Sequence, residues 1–196
     1  ISAKLLKTAD IAMYAAKAKK GNSYIVYKKE MPNTNDQFLV LETKLHKALR
    51  ENKLALQYDP IYHLHKNRIS GAEVIVQWID EEIGVMNQEE ILPFASQCGL
   101  ITQIDHWVLR NAIMQLAEFK PLVDDNFKIA INVSIETIKE SNFILDLTNM
   151  LEQSNIAPRH LEIEISELGM LVKDKQLIDK INQLHELGIT ISIDDF

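Results

Sequence analysis

Apolar residues recur along this chain with two different periods, and these periods predict its elements. From Leu5 to Lys19 they lie three or four positions apart, which predicts an amphipathic helix, and Ser23 to Tyr27 predicts a strand. The polar stretch from Lys28 to Asp36 has no apolar period and is expected to be a linker. A further helix is predicted from Leu39 to Glu51.

Two strand-like runs follow, Leu54 to Leu64 and Ile69 to Trp78, and only His65 to Arg68 separate them. So short a connection predicts an antiparallel hairpin, because parallel strands need a long crossover. Helices and strands then alternate, which predicts an α/β fold whose parallel sheet is either open or closed into a barrel. The predicted helices are Gln88 to Gln97, Gln103 to Phe119, Phe143 to Gln153 and Lys175 to Leu187, and the predicted strands are Phe127 to Val133, Leu161 to Ser166 and Ile189 to Asp194.

Charge and composition exclude several classes of function. The net charge of the 196 residues is -7, which argues against a surface for nucleic acid polymers. No apolar run approaches the roughly 18 residues of a membrane span, so we expect no membrane contact by this segment and a cytoplasmic location. The single cysteine, Cys98, is predicted to be a small core residue, and Trp78 and Trp107 are also expected in the core.

Acids and an amide interrupt strands that should be apolar if both faces of the sheet are covered. These residues are Glu73, Asn132, Glu164, Asp194 and Asp195. A helix N-cap or a solvated strand end explains one such residue, but five on four strands favour a common site at one end of the sheet. Because carboxylate and amide oxygens are hard ligands, the set predicts Mg²⁺ or Mn²⁺ in preference to zinc.

The same residues stand in motifs that resemble the EAL domain family. Gly71 to Trp78 is similar to the family's G-x-E-A-L-x-R-W, and Asn132-Val133-Ser134 is similar to its N-x-S. Glu164 to Glu167 resembles E-x-T-E, and Asp194-Asp195-Phe196 resembles the start of D-D-F-G. Tyr58-Asp59-Pro60-Ile61 resembles Y-Q-P-I. Several spaced motifs together are more specific than any one of them.

The resemblance implies a partial TIM (β/α)8 barrel with an antiparallel first strand. It also implies a cyclic-di-GMP phosphodiesterase that releases linear pGpG with two Mg²⁺ or Mn²⁺ ions. Carried over to this chain, Glu73, Asn132, Glu164 and Asp194 would bind one metal, and Asp194 with Asp195 would bind the second. Glu73 and Asp195 would be catalytic, and Glu167 would position the loop after Asp195. Gln77 and Asp59 would contact the substrate.

Residues 5 to 27 resemble the end of a GGDEF domain, through Ala9-Asp10, Ala12-Met13-Tyr14, Ala16-Lys17 and Gly21-Asn22. The GGDEF signature is absent, so no cyclase activity is expected of this chain. The expected organisation is a helix-strand remnant of a GGDEF domain at 1–27, a linker at 28–37 and the first part of an EAL domain at 38–196.

Three residues depart from the family pattern. Gln77 replaces an Arg that contacts phosphate, Asp59 replaces a Gln that faces the ligand, and Ser96 replaces a Glu. Two alternatives therefore stay open beside the enzyme: a degenerate EAL domain that is a cyclic-di-GMP receptor or scaffold without turnover, and an unrelated metal-dependent barrel.

The ends of the chain, at Ile1 and Phe196, suggest a piece of a larger protein. The family's catalytic Lys and a further Glu belong to the second half of the barrel, so we expect this piece alone to be inactive. Its exposed strand edges predict self-association or a homodimer.

Overall fold

The structure is a computed structural model that describes residues 24–28, 34–166 and 174–194, together with Thr8 and Ala12. For residues 34–37 and 194 it describes the backbone alone. The chain divides into two compact units, Ile1–Lys47 and Ala48–Phe196. All strands described below belong to the second unit.

The elements follow one another as the alternation predicts. The first helix, α1, spans Thr34–Arg50 and precedes the hairpin of β1 (Leu54–His63) and β2 (Arg68–Asp80). The later elements are, in chain order, β3 (Gly84–Met86), α2 (Gln88–Gln97), α3 (Ile101–Phe119), β4 (Lys128–Asn132), α4 (Ile135–Ile138), α5 (Phe143–Gln153), β5 (Leu161–Ser166), α6 (Lys175–Glu186) and β6 (Thr190–Asp194). Among the described helices, none is both long and apolar enough to cross a membrane.

The strands form one mixed sheet with the order β1-β2-β4-β5-β6, and β3 pairs with β2. The β1–β2 and β2–β3 pairs are antiparallel, whereas β2, β4, β5 and β6 run parallel. Helices α2, α3 and α6 pack against β2, β4 and β6. The predicted α/β class and the predicted antiparallel hairpin are therefore confirmed.

The two faces of the sheet differ in polarity because strand side chains alternate. Val74, Ile131 and Ile163 are at most 1% exposed and belong to the apolar face. The other face, which we call the polar face, contains acids and amides on adjacent strands. Even away from the candidate site it is polar, since Lys128 Nζ donates a hydrogen bond to Thr190 Oγ1 at 2.7 Å.

Several local predictions differ from the structure. Residues 24–28 have no strand, and the strand predicted from Ser23 to Tyr27 is wrong over them. The helix predicted from Leu39 begins at Thr34, inside the expected linker. The helix predicted from Leu5 to Lys19 lies outside the described residues, apart from Thr8 and Ala12.

Two core predictions are also wrong. Trp78 is buried as expected, but Trp107 is partly exposed, and its Nε1 donates to Asn52 Oδ1 at 3.0 Å. Cys98 is partly exposed too, because it follows the last residue of α2 at the surface.

Candidate functional site

Three of the predicted ligands meet on the polar face. Glu73 on β2 pairs with Ala130 on β4, and Asn132, two residues further along β4, pairs with Glu164 on β5. This register places all three on one face, since residues two apart on a strand share a face. Asn132 Nδ2 lies 3.2 Å from Glu73 Oε1 and 3.4 Å from Glu164 Oε2.

The Asn132 amide therefore donates to two partly buried carboxylates at once. Carboxylates close together in a partly desolvated place need compensating positive charge or hydrogen-bond donors. The Asn132 amide supplies donors here. A rotation about its Cβ–Cγ bond would instead turn Oδ1 towards the space between the Glu73 and Glu164 carboxylates. Two carboxylates and one amide oxygen are suitable ligands for Mg²⁺ or Mn²⁺, so the residues present fit the predicted metal.

The structure describes part of the predicted ligand set only. Asp194 ends β6, where it pairs with Ser166 on β5, and Ser192 pairs with Glu164. The side chain of Asp194 and all of Asp195 and Glu167 lie outside the described residues. Among the side chains that are described, no group of three or more His, Cys, Asp or Glu residues could hold a metal ion.

The two predicted substrate residues belong to one chain of side-chain hydrogen bonds. Gln77 Nε2 donates to Gln57 Oε1 at 3.0 Å and to Asn87 Oδ1 at 3.1 Å. Gln57 Nε2 in turn donates to Asp59 Oδ1 at 2.9 Å, and Asp59 pairs with Glu73 across the β1–β2 ladder. Both amide hydrogens of Gln77 are thus used within the protein.

A cavity of about 410 Å³ lies beside this chain of hydrogen bonds. Glu73, Gln77, Asn87 and Glu89 are among the residues that line it. Its described lining contains amides and carboxylates and no Lys, Arg or His. Glu73 belongs both to the lining of the cavity and to the candidate metal ligands. A ligand in the cavity would therefore lie next to Gln77 and next to the candidate metal site.

One residue that supports the candidate site was missed from the sequence, Asp105 on α3. It is 3% exposed, and its Oδ2 accepts hydrogen bonds from Ser134 N at 2.9 Å, Ser134 Oγ at 2.5 Å and Thr137 Oγ1 at 2.6 Å. Ser134 follows Asn132 by two residues and is the N-cap of α4. Asp105 therefore fixes the loop that follows a candidate metal ligand.

Burial raises the pKa of the Asp105 carboxyl above its usual range, and the hydrogen bonds from Ser134 and Thr137 offset part of that rise. The only signal in the sequence was an acid among the apolar residues Ile101, Ile104 and Val108 of α3. That signal does not reveal the partners, which lie about 30 residues later in the chain.

Tyr58 holds the start of the Y-D-P-I motif against α3. Its ring meets Phe119 edge to face, with the ring centroids 5.3 Å apart. Burial, with a smaller contribution from the Glu118 carboxylate, raises the pKa of Tyr58 to about 12. The phenol therefore stays neutral at physiological pH and anchors β1 beside Asp59.

Comparison with known proteins gives a consistent result. The family model described as EAL domain matches residues 42–196. The cyclic di-GMP phosphodiesterase NbdA of Pseudomonas aeruginosa is 30% identical over 192 residues, which are 98% of this chain and 24% of NbdA. MucR of the same organism, a bifunctional diguanylate cyclase/cyclic di-GMP phosphodiesterase, is 31% identical over 98% of this chain and 28% of MucR.

A solved structure shows the same fold. The PaMucR phosphodiesterase in complex with c-di-GMP superposes with a TM-score of 0.74 and 29% identity, covering 82% of this chain and 64% of that one. The present chain spans about a quarter of the length of NbdA and MucR.

Proposed function

This chain belongs to the EAL domain family, and on that premise we propose that the full-length protein hydrolyses cyclic-di-GMP to linear pGpG with divalent metal ions. The observation that carries the proposal is the Asn132 amide, which lies between the carboxylates of Glu73 and Glu164. These three residues come from three adjacent strands. In (β/α)8 barrels catalytic residues come from several strands and lie towards their carboxyl ends, as Asn132 does at the end of β4.

The metal ligands in this proposal are Glu73, Asn132, Glu164 and Asp194 for one ion, with Asp194 and Asp195 for a second. When bound, Mg²⁺ or Mn²⁺ supplies the Lewis-acid chemistry that makes water a nucleophile at neutral pH and neutralises phosphate charge. Glu73 and Asp195 are the proposed catalytic residues, and Glu167 positions the loop after Asp195. Asp105 supports Asn132 through the Ser134 backbone.

The ligand is proposed to occupy the cavity lined by Glu73 and Gln77, where Gln77 would contact it. Asp59 does not line the cavity but is hydrogen-bonded to Gln57, which does, and it is proposed to contact a ligand that extends past Gln57. PaMucR was solved with c-di-GMP, and it is 29% identical to this chain. The carboxylates of Glu73 and Glu89 line the same cavity and would repel a dinucleotide phosphate. Binding of the anionic ligand is therefore expected to depend strongly on the metal ions.

The domain organisation is part of the proposal. Residues 1–27 are proposed to be the end of a GGDEF domain, 28–37 a linker whose last four residues already belong to α1, and 38–196 the first part of an EAL domain. The MucR alignment covers 98% of the chain and so extends before the EAL match, which supports this division. The proposed location is cytoplasmic, and the 196-residue chain alone is proposed to be inactive.

A second candidate is a cyclic-di-GMP receptor or scaffold without turnover. Gln77 favours it, because both of its amide hydrogens are already donated to Gln57 and Asn87. A neutral amide also forms weaker bonds to phosphate than a guanidinium does. Asp59 favours it as well, since it adds a negative charge near an anionic ligand.

One experiment on the full-length protein separates these candidates. In the first assay, the protein is given cyclic-di-GMP and Mn²⁺, and the formation of pGpG is followed by chromatography. In the second assay, Ca²⁺ replaces Mn²⁺, and the binding of cyclic-di-GMP is measured by calorimetry. We expect pGpG to form in Mn²⁺. Binding without pGpG would support the receptor instead, and the absence of both binding and pGpG would contradict both candidates.

A further inference from the structure

The polar face contains a buried hydroxyl that has no partner among the described residues. Ser192 on β6 pairs with Glu164 on β5, and Asp194 lies two residues further along β6. Paired residues on neighbouring strands point to the same face, so the Ser192 side chain lies beside the candidate metal ligand Glu164. Ser192 Oγ is buried, and it forms no hydrogen bond within the part of the chain that the structure describes.

The neighbouring row of the same face is different, because its groups bond to one another. Two residues earlier on each strand, Glu162 on β5 pairs with Thr190 on β6. Thr190 Oγ1 accepts a hydrogen bond from Lys128 Nζ at 2.7 Å, and the same ammonium lies 3.9 Å from Glu162 Oε2. The hydroxyl of this row therefore has its partner within the fold, whereas the hydroxyl beside the candidate metal ligands does not have one among the described groups.

An unpaired buried hydroxyl destabilises a fold, so such groups normally have a partner in the working protein. The carboxylate that the register places beside Ser192 is that of Glu164. A serine hydroxyl has one hydrogen to donate and lone pairs that accept. It can therefore donate to the Glu164 carboxylate and at the same time accept a hydrogen bond from water on a bound metal ion.

Metal binding would take a donor away from Glu164. In this structure Glu164 Oε2 lies 3.4 Å from the amide nitrogen of Asn132. Asn132 can bind a metal ion only through Oδ1, because its amide nitrogen is a donor. Turning Oδ1 towards the metal turns Nδ2 away from Glu164, and the carboxylate loses one hydrogen bond that fixes its orientation. The Ser192 hydroxyl is placed to replace that bond.

We propose that Ser192 is a positioning residue of the metal site, whose hydroxyl holds the Glu164 carboxylate in the orientation that binds Mg²⁺ or Mn²⁺. The inference rests on the proposed function, since it deepens the metal site on which that function depends. Ser192 itself contacts no metal in this arrangement. Hydrogen-bond partners of metal ligands typically contribute about 10- to 100-fold to metal affinity, so the loss of this hydroxyl should be measurable.

Removing the hydroxyl with and without a change of shape tests the proposal. S192A and S192V both remove it, whereas S192T keeps it in a side chain of nearly the same shape as valine. The resonance signal of free Mn²⁺ measures binding to the full-length protein without cyclic-di-GMP, and the binding that E164Q removes identifies this site. S192A and S192V should bind Mn²⁺ at least about tenfold more weakly than the wild type, and S192T should restore most of the affinity.

T190V is the matched control, since it removes a hydroxyl from the same strand and the same face, and its Mn²⁺ affinity should equal that of the wild type. Urea denaturation of the same proteins separates a role in the site from a role in the fold. Lower stability of S192V with unchanged Mn²⁺ affinity would overturn the proposal, and so would an S192T that binds as weakly as S192V. A wild type that binds no more Mn²⁺ than E164Q would instead contradict the metal site itself, and the role of Ser192 with it.

Discussion

Asp105 is the buried acid on which the loop after Asn132 depends. Its carboxylate accepts three hydrogen bonds from Ser134 and Thr137, and the pKa is nevertheless raised because burial outweighs them. The pKa of Asp105 is about 3.9 in the unfolded chain and higher in the folded protein. In the pH window between these two pKa values, the folded protein keeps a proton that the unfolded chain has lost. Stability from this group is therefore present at low pH and is lost as the pH rises through that window.

Replacing Asp105 with Asn tests this directly. D105N should be insensitive to that protonation, so the free energy of unfolding of the wild type should rise relative to D105N as the pH falls. The expected change is about 1 kcal/mol per pH unit within the window. Urea denaturation of both proteins at several pH values measures it. A wild-type advantage that grows with rising pH would contradict the assignment.

Gln77 gives a second prediction at the residue scale. In the full-length protein, Q77R should bind cyclic-di-GMP about tenfold more tightly, because a guanidinium forms charge-assisted bonds to phosphate. Calorimetry in Ca²⁺ measures the affinity. The control is Q97R, which adds the same charge at an exposed position on α2. An unchanged or weaker affinity for Q77R would show that this position does not face phosphate.

The sequence predicted the meeting of Glu73, Asn132 and Glu164 because strand alternation and a parallel sheet determine which residues share a face and an end. It could not predict that Asn132 would donate to both carboxylates, since that depends on the register of β2 against β4. The hydrogen bonds from Gln77 on β2 to Gln57 on β1 and to Asn87 before α2 could not be predicted either, because they depend on how these three segments pack.

At the scale of elements, long periodic segments were predicted well and short ones were missed. The bounds of α2, α5 and β5 agree with the prediction. The strand β3 and the helix α4 have three and four residues, too few to show a period. Trp107 was misjudged because its apolar neighbours belong to the buried stripe of α3, whereas its own position lies at the edge of that stripe.

Gly71 gives a prediction at this scale, because β2 and β4 approach closely there. A Cβ atom at Gly71 would lie 2.6 Å from the carbonyl oxygen of Lys128, which is backbone and cannot move easily. G71A should therefore destabilise the fold by roughly 2 kcal/mol or more. G84A is the comparison, since a Cβ there meets open space and the cost of about 1 kcal/mol comes only from its φ of +85°. Urea denaturation measures the free energy of unfolding of both variants. An equal decrease for G71A and G84A would contradict the close approach of Gly71 to the Lys128 carbonyl oxygen.

At the scale of the whole molecule, the EAL fold and the acidic surface have opposite consequences for the ligand. The net charge of -7 repels a cyclic dinucleotide, and the described lining of the cavity adds no cation. Metal ions at Glu73, Asn132 and Glu164 would reverse the local potential. In the proposed reaction, ligand recognition and catalysis would therefore depend on the same cluster of carboxylates.

The most direct test of this account compares two glutamates on β5 that share the polar face. Glu164 belongs to the candidate metal site, whereas Glu162 lies two residues earlier, near Lys128. In the full-length protein with Mn²⁺, E164Q should lower the rate of cyclic-di-GMP hydrolysis by at least about a hundredfold. E162Q should retain most of the wild-type rate. Equal rates for E164Q and E162Q would contradict the assignment of the metal site.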